Sequence, residues 1–331
     1  MTPSASTTSN CPVLFVTQAK SIQSYILASD KLKDMVGATE MVERLPGEFL
    51  GEVLEKMGIK EGRDYKVLTS AAGATRIRFE NREHAEQLAL VWPLICNHLA
   101  PELEVVQTLQ PLSGDYLGAI KAAEVALSLA RGRKIPPLPV AGPAVARAQR
   151  TGRAAVGNAE DGERIDASTL AKRKLRDEVT HKSVPEVFKN LGLGEDSFTI
   201  PDDFNQITGR DKDYLAVIHA DGNGLGQLFI SLQKHFSQKA GHEGYSGENI
   251  EKFYIDLSST IAEVSLNAAK LAIQEATKED PGDGEEQGRP ASKGKPCWPM
   301  MPIVLAGDDL TIVFRSDLAL KFTRLYLGNF T

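Results

Sequence analysis

Three aspartates in the last third of the sequence are placed to bind a divalent cation. Asp221 directly follows the apolar run YLAVIHA (214–220), and Asp308 and Asp309 separate the apolar runs PIVL and LTIVF. Carboxylates that come close together repel one another unless a cation lies between them, and oxygen ligands of this kind suit Mg²⁺ or Mn²⁺. The sequence therefore predicts a metal site formed by these three residues.

Glycines accompany both acidic positions and would let a phosphate group approach the backbone. Backbone N–H groups of such a turn, beside the start of a helix, favour bound anions. Either motif alone is also an ordinary turn, so the prediction depends on their occurrence together on apolar strands. The nucleotide-binding candidates are Gly222, Asn223, Gly224, Gly226 and Gly307.

The elements predicted around these residues bring both acidic positions to one edge of a sheet. A strand over 214–219 leads into a helix, and two further strands, 302–305 and 310–314, form a hairpin before a last helix from Asp317. In a βαββ sheet the first strand and the second strand of the hairpin are neighbours, so their acidic ends converge.

The first third of the sequence repeats this order and adds a fourth strand. It predicts a strand over 12–17, a helical segment that Gly37 interrupts, a hairpin around SAAGA (70–74), a helix capped by Asn81 and a strand over 103–109. The expected fold class is α+β, with two ferredoxin-like (βαββαβ) domains, the second truncated before its last strand.

A basic helical connector is expected between the two domains. The predicted segments are 1–130, 131–205 and 206–331, because the proline-rich stretch IPPLPVAGP ends the helix before it. Twelve Lys/Arg stand against six Asp/Glu between 131 and 182. This stretch is either a surface that contacts phosphate groups or a solvated helix with its linkers.

Composition excludes several classes of protein. The net charge is −6 and no run of 18 apolar residues occurs, so no membrane partner is expected. The first ten residues lack the basic start and apolar core of a secretory signal. Three widely spaced cysteines suggest neither a disulfide framework nor a zinc site, and a cytoplasmic location is expected.

Three stretches resemble the large polymerase/cyclase subunit of type III CRISPR effector complexes. SIQSYILASDKLKDMVGATEMVERL (21–45) resembles the helix of the family's first palm domain, and HADGNGLGQLF (219–229) resembles the opening of its second. LAGDDLTIVF (305–314) resembles the hairpin usually written GGDD.

The resemblance implies two palm domains that hold two ATP molecules. The second palm would supply the metal ligands for two Mg²⁺ or Mn²⁺ ions, whereas the first is degenerate, since SAAGA has no carboxylate. The implied reaction is attack by a 3′-hydroxyl that makes cyclic or linear oligoadenylates as an antiviral signal. The implied partners are other effector subunits with guide and target RNA.

The sequence also departs from the family's pattern. Ala306 replaces the first glycine of GGDD, which would be strained if that position needs φ > 0. No His-Asp dipeptide of an HD nuclease occurs, QRTG (149–152) stands where a cysteine-rich turn is expected, and the C-terminal helical domain is absent.

Two other functions are compatible with parts of the sequence. A dinucleotide-binding site fails on spacing, because Gln227 stands where the third glycine should be. A non-enzymatic scaffold that assembles guide-RNA effector subunits is favoured by the basic connector and by Ala306, and opposed by the three aspartates. His219 either touches a nucleotide or is packed.

Overall fold

The computed structural model describes residues 11–71, 73–112, 116–133, 142–182, 185–193, 198–208, 214–222, 231, 235, 247–278, 297–307 and 309–330. The strands are β1 (Val13–Lys20), β2 (Tyr65–Ala71), β3 (Ala74–Phe79), β4 (Glu104–Pro111), β5 (Ala155–Asn158), β6 (Arg164–Asp166), β7 (Leu215–Ala220), β8 (Met300–Ala306) and β9 (Asp309–Arg315). The α-helices are α1 (Ile22–Ile26), α2 (Leu32–Arg44), α3 (Leu50–Lys56), α4 (Arg82–Leu99), α5 (Tyr116–Gly132), α6 (Ala167–Lys182), α7 (Glu186–Asn190), α8 (Phe204–Ile207), α9 (Gly247–Thr277) and α10 (Ser316–Phe330).

The chain divides into two compact units. The first comprises Met1–Ile22, Val42–Leu138 and Gly224–Ser258, and the second comprises Gln23–Met41, Pro139–Asn223 and Ser259–Thr331. The predicted α+β class is confirmed, since the sheets are antiparallel and several helices accompany them. Among the described residues, no helix has both the length and the apolar character needed to cross a bilayer.

The first unit contains a four-stranded sheet in the order β2-β3-β1-β4. Its central strand β1 begins with four buried apolar residues, VLFV, because both faces of the sheet are covered there. On one face Phe15 packs edge-on against Phe79, and Trp92 of α4 donates its indole N–H to Thr17 at 3.0 Å. On the other face the core includes Leu14 and residues of α5.

The second unit contains a three-stranded sheet in the order β7-β9-β8. Phe314 of β9 stacks on Phe322 of α10, with ring centroids 5.0 Å apart. Ile303 of β8 accepts a hydrogen bond of 2.7 Å from the buried hydroxyl of Thr39 in α2. The two sheets therefore share an order of three strands, in which the hairpin's second strand pairs with the strand that precedes the hairpin.

A network of ion pairs, here called the Glu163 network, joins the β5–β6 hairpin to two other segments of the second unit. Glu163 is buried and accepts hydrogen bonds from Lys31 (2.9 Å), Arg173 (3.0 Å) and Arg150. Arg173 of α6 also binds Asp34 of α2. Because β5 itself is mostly exposed, these polar contacts hold a hairpin that has few apolar anchors.

Four basic residues of the connector are engaged with the protein. Lys172 is buried and donates to the backbone oxygen of Tyr25 at 2.6 Å, while Arg150 and Arg173 belong to the Glu163 network. Arg176 binds Asp177 at 3.0 Å. The sequence left two alternatives for this basic stretch, a surface that contacts phosphate groups or a solvated helix. Neither alternative applies to these four side chains, because each of them binds another group of the protein.

The predicted interruption at Gly37 is wrong. Helix α2 runs through Gly37, which lies against the backbone of α6. A Cβ atom at this position would lie 2.0 Å from the carbonyl oxygen of Lys172. The glycine is therefore required by a close contact between two helices rather than by a bend.

Candidate functional site

Strand register places Asp221 opposite Asp309 at one end of the second sheet. Strands β7 and β9 pair antiparallel, and their last pair is Ala220 with Leu310. Continuing this register by one residue sets Asp221, which follows β7, against Asp309, the first residue of β9. Directly opposite residues of neighbouring strands have Cβ atoms about 5 Å apart. The predicted convergence of these two acidic positions is therefore supported by the register.

The β8–β9 hairpin turns at Gly307, which has φ of +62°. Other residues adopt this left-handed conformation only at a cost, which explains glycine at the tip. Ala306 instead lies in β8, paired with Asp309, and non-glycine residues with positive φ in the described chain are Ser21 and Glu102. The strain expected if Ala306 had a positive φ is therefore not present in its backbone.

Part of the predicted site lies outside the described residues. Those candidates are Asp308, Asn223, Gly224 and Gly226. Gly222 follows Asp221 directly and is partly buried. Within the described part of the chain, no group of three or more His, Cys, Asp or Glu side chains could hold a metal ion. The register of β7 and β9 thus sets two of the three predicted carboxylates at facing positions, and a metal site remains a prediction.

The equivalent position in the first sheet carries no carboxylate. There the pair next to the hairpin turn is Gln18 of β1 with Ala74 of β3, and Ala71 of β2 flanks it on the other side. Gln18 accepts a hydrogen bond from Arg131. An amide and a methyl group thus occupy the places that Asp221 and Asp309 occupy in the second sheet.

His219 is exposed on β7 and pairs with Thr311 of β9. Its Nδ1 atom lies 2.9 Å from the Thr311 hydroxyl oxygen, whose residue is 7% exposed. Of the two alternatives for His219, packing in the core is therefore excluded. The partner Thr311 was not singled out from the sequence, although its position two residues after Asp309 places both on one face of β9.

Chemically, the pair Asp221–Asp309 is a set of oxygen donors with like charge. Asp221 is exposed and Asp309 is partly buried, so the carboxylates are at the surface of the sheet's end. Such a pair suits a hard divalent cation, which would relieve the repulsion between them. The donor set therefore fits Mg²⁺ or Mn²⁺.

The fold is that of the large subunits of type III CRISPR effector complexes, which confirms the resemblance predicted from the sequence at the level of the fold. The solved structures concerned are of Csm1. The crystal structure of the Csm1–Csm4 cassette in complex with cA4 matches 97% of this chain and 48% of that chain, with a TM-score of 0.54 and 14% identity.

Two further structures give the same result. The Csm1–Csm4 cassette in complex with one ATP matches 98% of this chain and 49% of that chain, with a TM-score of 0.54 and 15% identity. The crystal structure of Csm1 in T. onnurineus matches 98% of this chain and 47% of that chain, with a TM-score of 0.51 and 14% identity. This chain thus spans about half the length of these Csm1 chains. No family model and no curated protein matches its sequence.

Proposed function

We propose that this chain is a nucleotidyltransferase that links ATP molecules into cyclic or linear oligoadenylates in type III CRISPR antiviral defence. The 3′-hydroxyl oxygen of one ATP attacks the α-phosphorus of another, the bond to pyrophosphate breaks, and the hydroxyl proton passes to solvent. The observation that carries the proposal is the register that sets Asp221 against Asp309. The proposal is also supported by similarity to other proteins, because the chain shares its fold with Csm1 structures in complex with ATP or cA4.

Asp221 and Asp309, with the adjacent Asp308, are the residues that would hold two Mg²⁺ or Mn²⁺ ions. When bound, these ions would neutralise the triphosphate and lower the pKa of the attacking hydroxyl. The carboxylates themselves fix the place of the triphosphate at the end of the sheet. Gly307 itself adds no side chain at the hairpin tip beside them. The predicted phosphate-contacting backbone of residues 222–226 follows Asp221 in the chain.

We further propose that both sheets belong to ferredoxin-like palm domains, the first of them degenerate. The order β2-β3-β1-β4 supports this for the first sheet, and β8-β9-β7 repeats three of its strands. Gln18 and Ala74 in place of aspartates support the loss of metal binding in the first palm. In this proposal the first palm domain ends at about residue 130, and the second begins at about residue 206, after the connector.

The partners we propose are a Csm4-like subunit, together with guide and target RNA. Several of the Csm1 structures that share this fold are cassettes with Csm4, and this observation supports the Csm4-like partner. Co-expression with such a subunit, followed by size-exclusion chromatography, tests the pairing. Separate elution of the two chains would contradict it.

Turnover of labelled ATP with Mn²⁺ tests the proposed reaction. We expect Asp221→Asn and Asp309→Asn each to lower product formation by roughly 100-fold or more, since charge stabilisation at the reacting phosphate is lost. Glu52→Gln removes one negative charge from an exposed position in the other unit and serves as the control. Equal turnover by the three variants and the unmodified chain would assign the activity to another site.

A further inference from the structure

His219 shares a face of the second sheet with the Asp221–Asp309 pair. Side chains along a strand alternate between faces, so His219 and Asp221, two residues apart, project on the same side. Their partners on β9, Thr311 and Asp309, are on that side too. The Cα atoms of His219 and Asp221 are therefore about 7 Å apart along the strand.

The orientation of the ring is fixed from one side only. Nδ1 of His219 lies 2.9 Å from the hydroxyl oxygen of Thr311, which belongs to a buried residue. Nε2 is the nitrogen that remains available, and in the described part of the chain Nδ1···Oγ1 is the hydrogen bond that the ring makes. An exposed imidazole held in this way offers its Nε2 atom to a ligand that binds on this face of the sheet.

We propose that Nε2 of His219 donates a hydrogen bond to a phosphate or ribose oxygen of the nucleoside triphosphate held at Asp221 and Asp309. This inference rests on the proposed function. In the tautomer that this proposal assigns, the Thr311 hydroxyl donates to Nδ1, the ring proton is on Nε2, and Nε2 is a donor toward oxygen. Phosphate and ribose oxygens are hydrogen-bond acceptors of the kind that such an N–H group binds.

Binding of the non-hydrolysable analogue AMPPNP with Mn²⁺, measured by isothermal titration calorimetry, tests this contact. We expect His219→Asn to bind it roughly 3- to 10-fold more weakly, the usual effect of one hydrogen bond. His219→Gln, whose amide nitrogen reaches the place of Nε2, should lose less. Thr311→Val should weaken binding because the ring is no longer fixed. Val217→Asn, on the same exposed face of β7, is the control and should bind as the unmodified chain does.

Inorganic tripolyphosphate with Mn²⁺ identifies the atom that is contacted. If His219→Asn weakens its binding as well, the contact is to phosphate; if only AMPPNP is affected, the contact is to ribose. Equal melting temperatures of the variants establish that each is folded.

The results separate this inference from the proposed function. If His219→Asn binds AMPPNP as tightly as the unmodified chain while Asp309→Asn does not, the inference is overturned and the proposed function stands. If His219→Gln is as weak as His219→Asn and Thr311→Val has no effect, the assignment to Nε2 is overturned. If the unmodified chain binds no nucleotide, both proposals fall.

Discussion

Arg173 and Asp34 form a two-point ion pair inside the second unit, with Nε 2.6 Å from Oδ1 and Nη2 3.1 Å from Oδ2. The two side chains are 9% and 1% exposed. Removing the cation would leave Asp34 buried with its charge uncompensated, which is more costly than losing the attraction alone. This pair and its neighbour Glu163 therefore make the second unit sensitive to single substitutions and to acid.

We expect Arg173→Met to lower the free energy of unfolding by about 3–5 kcal/mol. The matched control is Arg176→Met on the same helix, because the acidic partners of Arg176 are more than half exposed. Surface pairs of this kind contribute about 1 kcal/mol or less. Urea unfolding followed by circular dichroism measures both. Equal losses in the two variants would show that the buried pair has no special importance.

The second prediction concerns the stability of the protein at low pH. Burial alone would raise the pKa of Glu163, but hydrogen bonds from Lys31, Arg173 and Arg150 outweigh it and lower the pKa to about 2. A carboxylate with a lowered pKa in the folded state stabilises the protein above its unfolded pKa of about 4.3. That contribution is lost as the pH falls from there toward 2.

Urea unfolding at a series of pH values from 7 to 2.5 measures this loss. We expect Glu163→Gln to be less stable than the unmodified chain at neutral pH and to show a smaller further decrease in acid. Glu160→Gln, an exposed position in the same loop between β5 and β6, is the control. An acid response of Glu163→Gln as large as that of the control would mean that other carboxylates cause it.

The third prediction compares two helical glycines. Alanine is the better helix former by about 1 kcal/mol, so Gly51→Ala in α3, where a Cβ would meet open space, should stabilise the protein. Gly37→Ala should destabilise it by about 1–3 kcal/mol, because the methyl group collides with the Lys172 backbone. Thermal melts of both variants decide the matter. Stabilisation by both would mean that α2 and α6 are not in close contact.

These residues also show which features the sequence could predict. The cap of α4 was predicted from Asn81 and is present, since its side chain accepts a hydrogen bond of 2.9 Å from the Glu83 backbone. A cap depends on neighbours in sequence. Gly37 was misinterpreted because its partner, Lys172, is 135 residues away (172 − 37), and a contact between helices leaves no local signal.

The candidate site also contains features that the sequence could predict and features that it could not. Facing positions for Asp221 and Asp309 followed from the order of apolar runs, because strand neighbours in a βαββ sheet are fixed by topology. The β5–β6 hairpin was missed, since it lacks alternating apolar residues and depends on Arg150 and Glu163. Thr311 was missed because a threonine within an apolar strand is ordinary until its partner His219 is known.

The last prediction addresses the repulsion between Asp221 and Asp309. With no cation present, two carboxylates whose Cβ atoms are about 5 Å apart repel each other, by at most about 1 kcal/mol at an exposed site. We therefore expect Asp221→Asn to raise the melting temperature of the metal-free protein slightly. The unmodified chain should be stabilised by Mn²⁺ with AMPPNP, by about 2.7 kcal/mol at a ligand concentration of 100 times Kd.

In Asp221→Asn and Asp309→Asn this gain should be largely lost, because each variant lacks one anionic ligand of the cation. Glu52→Gln changes the net charge equally and should keep the full gain. Differential scanning fluorimetry with and without the ligand measures all four proteins. A gain in both asparagine variants equal to that of the control would place nucleotide binding elsewhere. No gain in the unmodified chain would favour the scaffold function, in which the aspartates bind no nucleotide and the sheets serve as surfaces for assembly with other subunits.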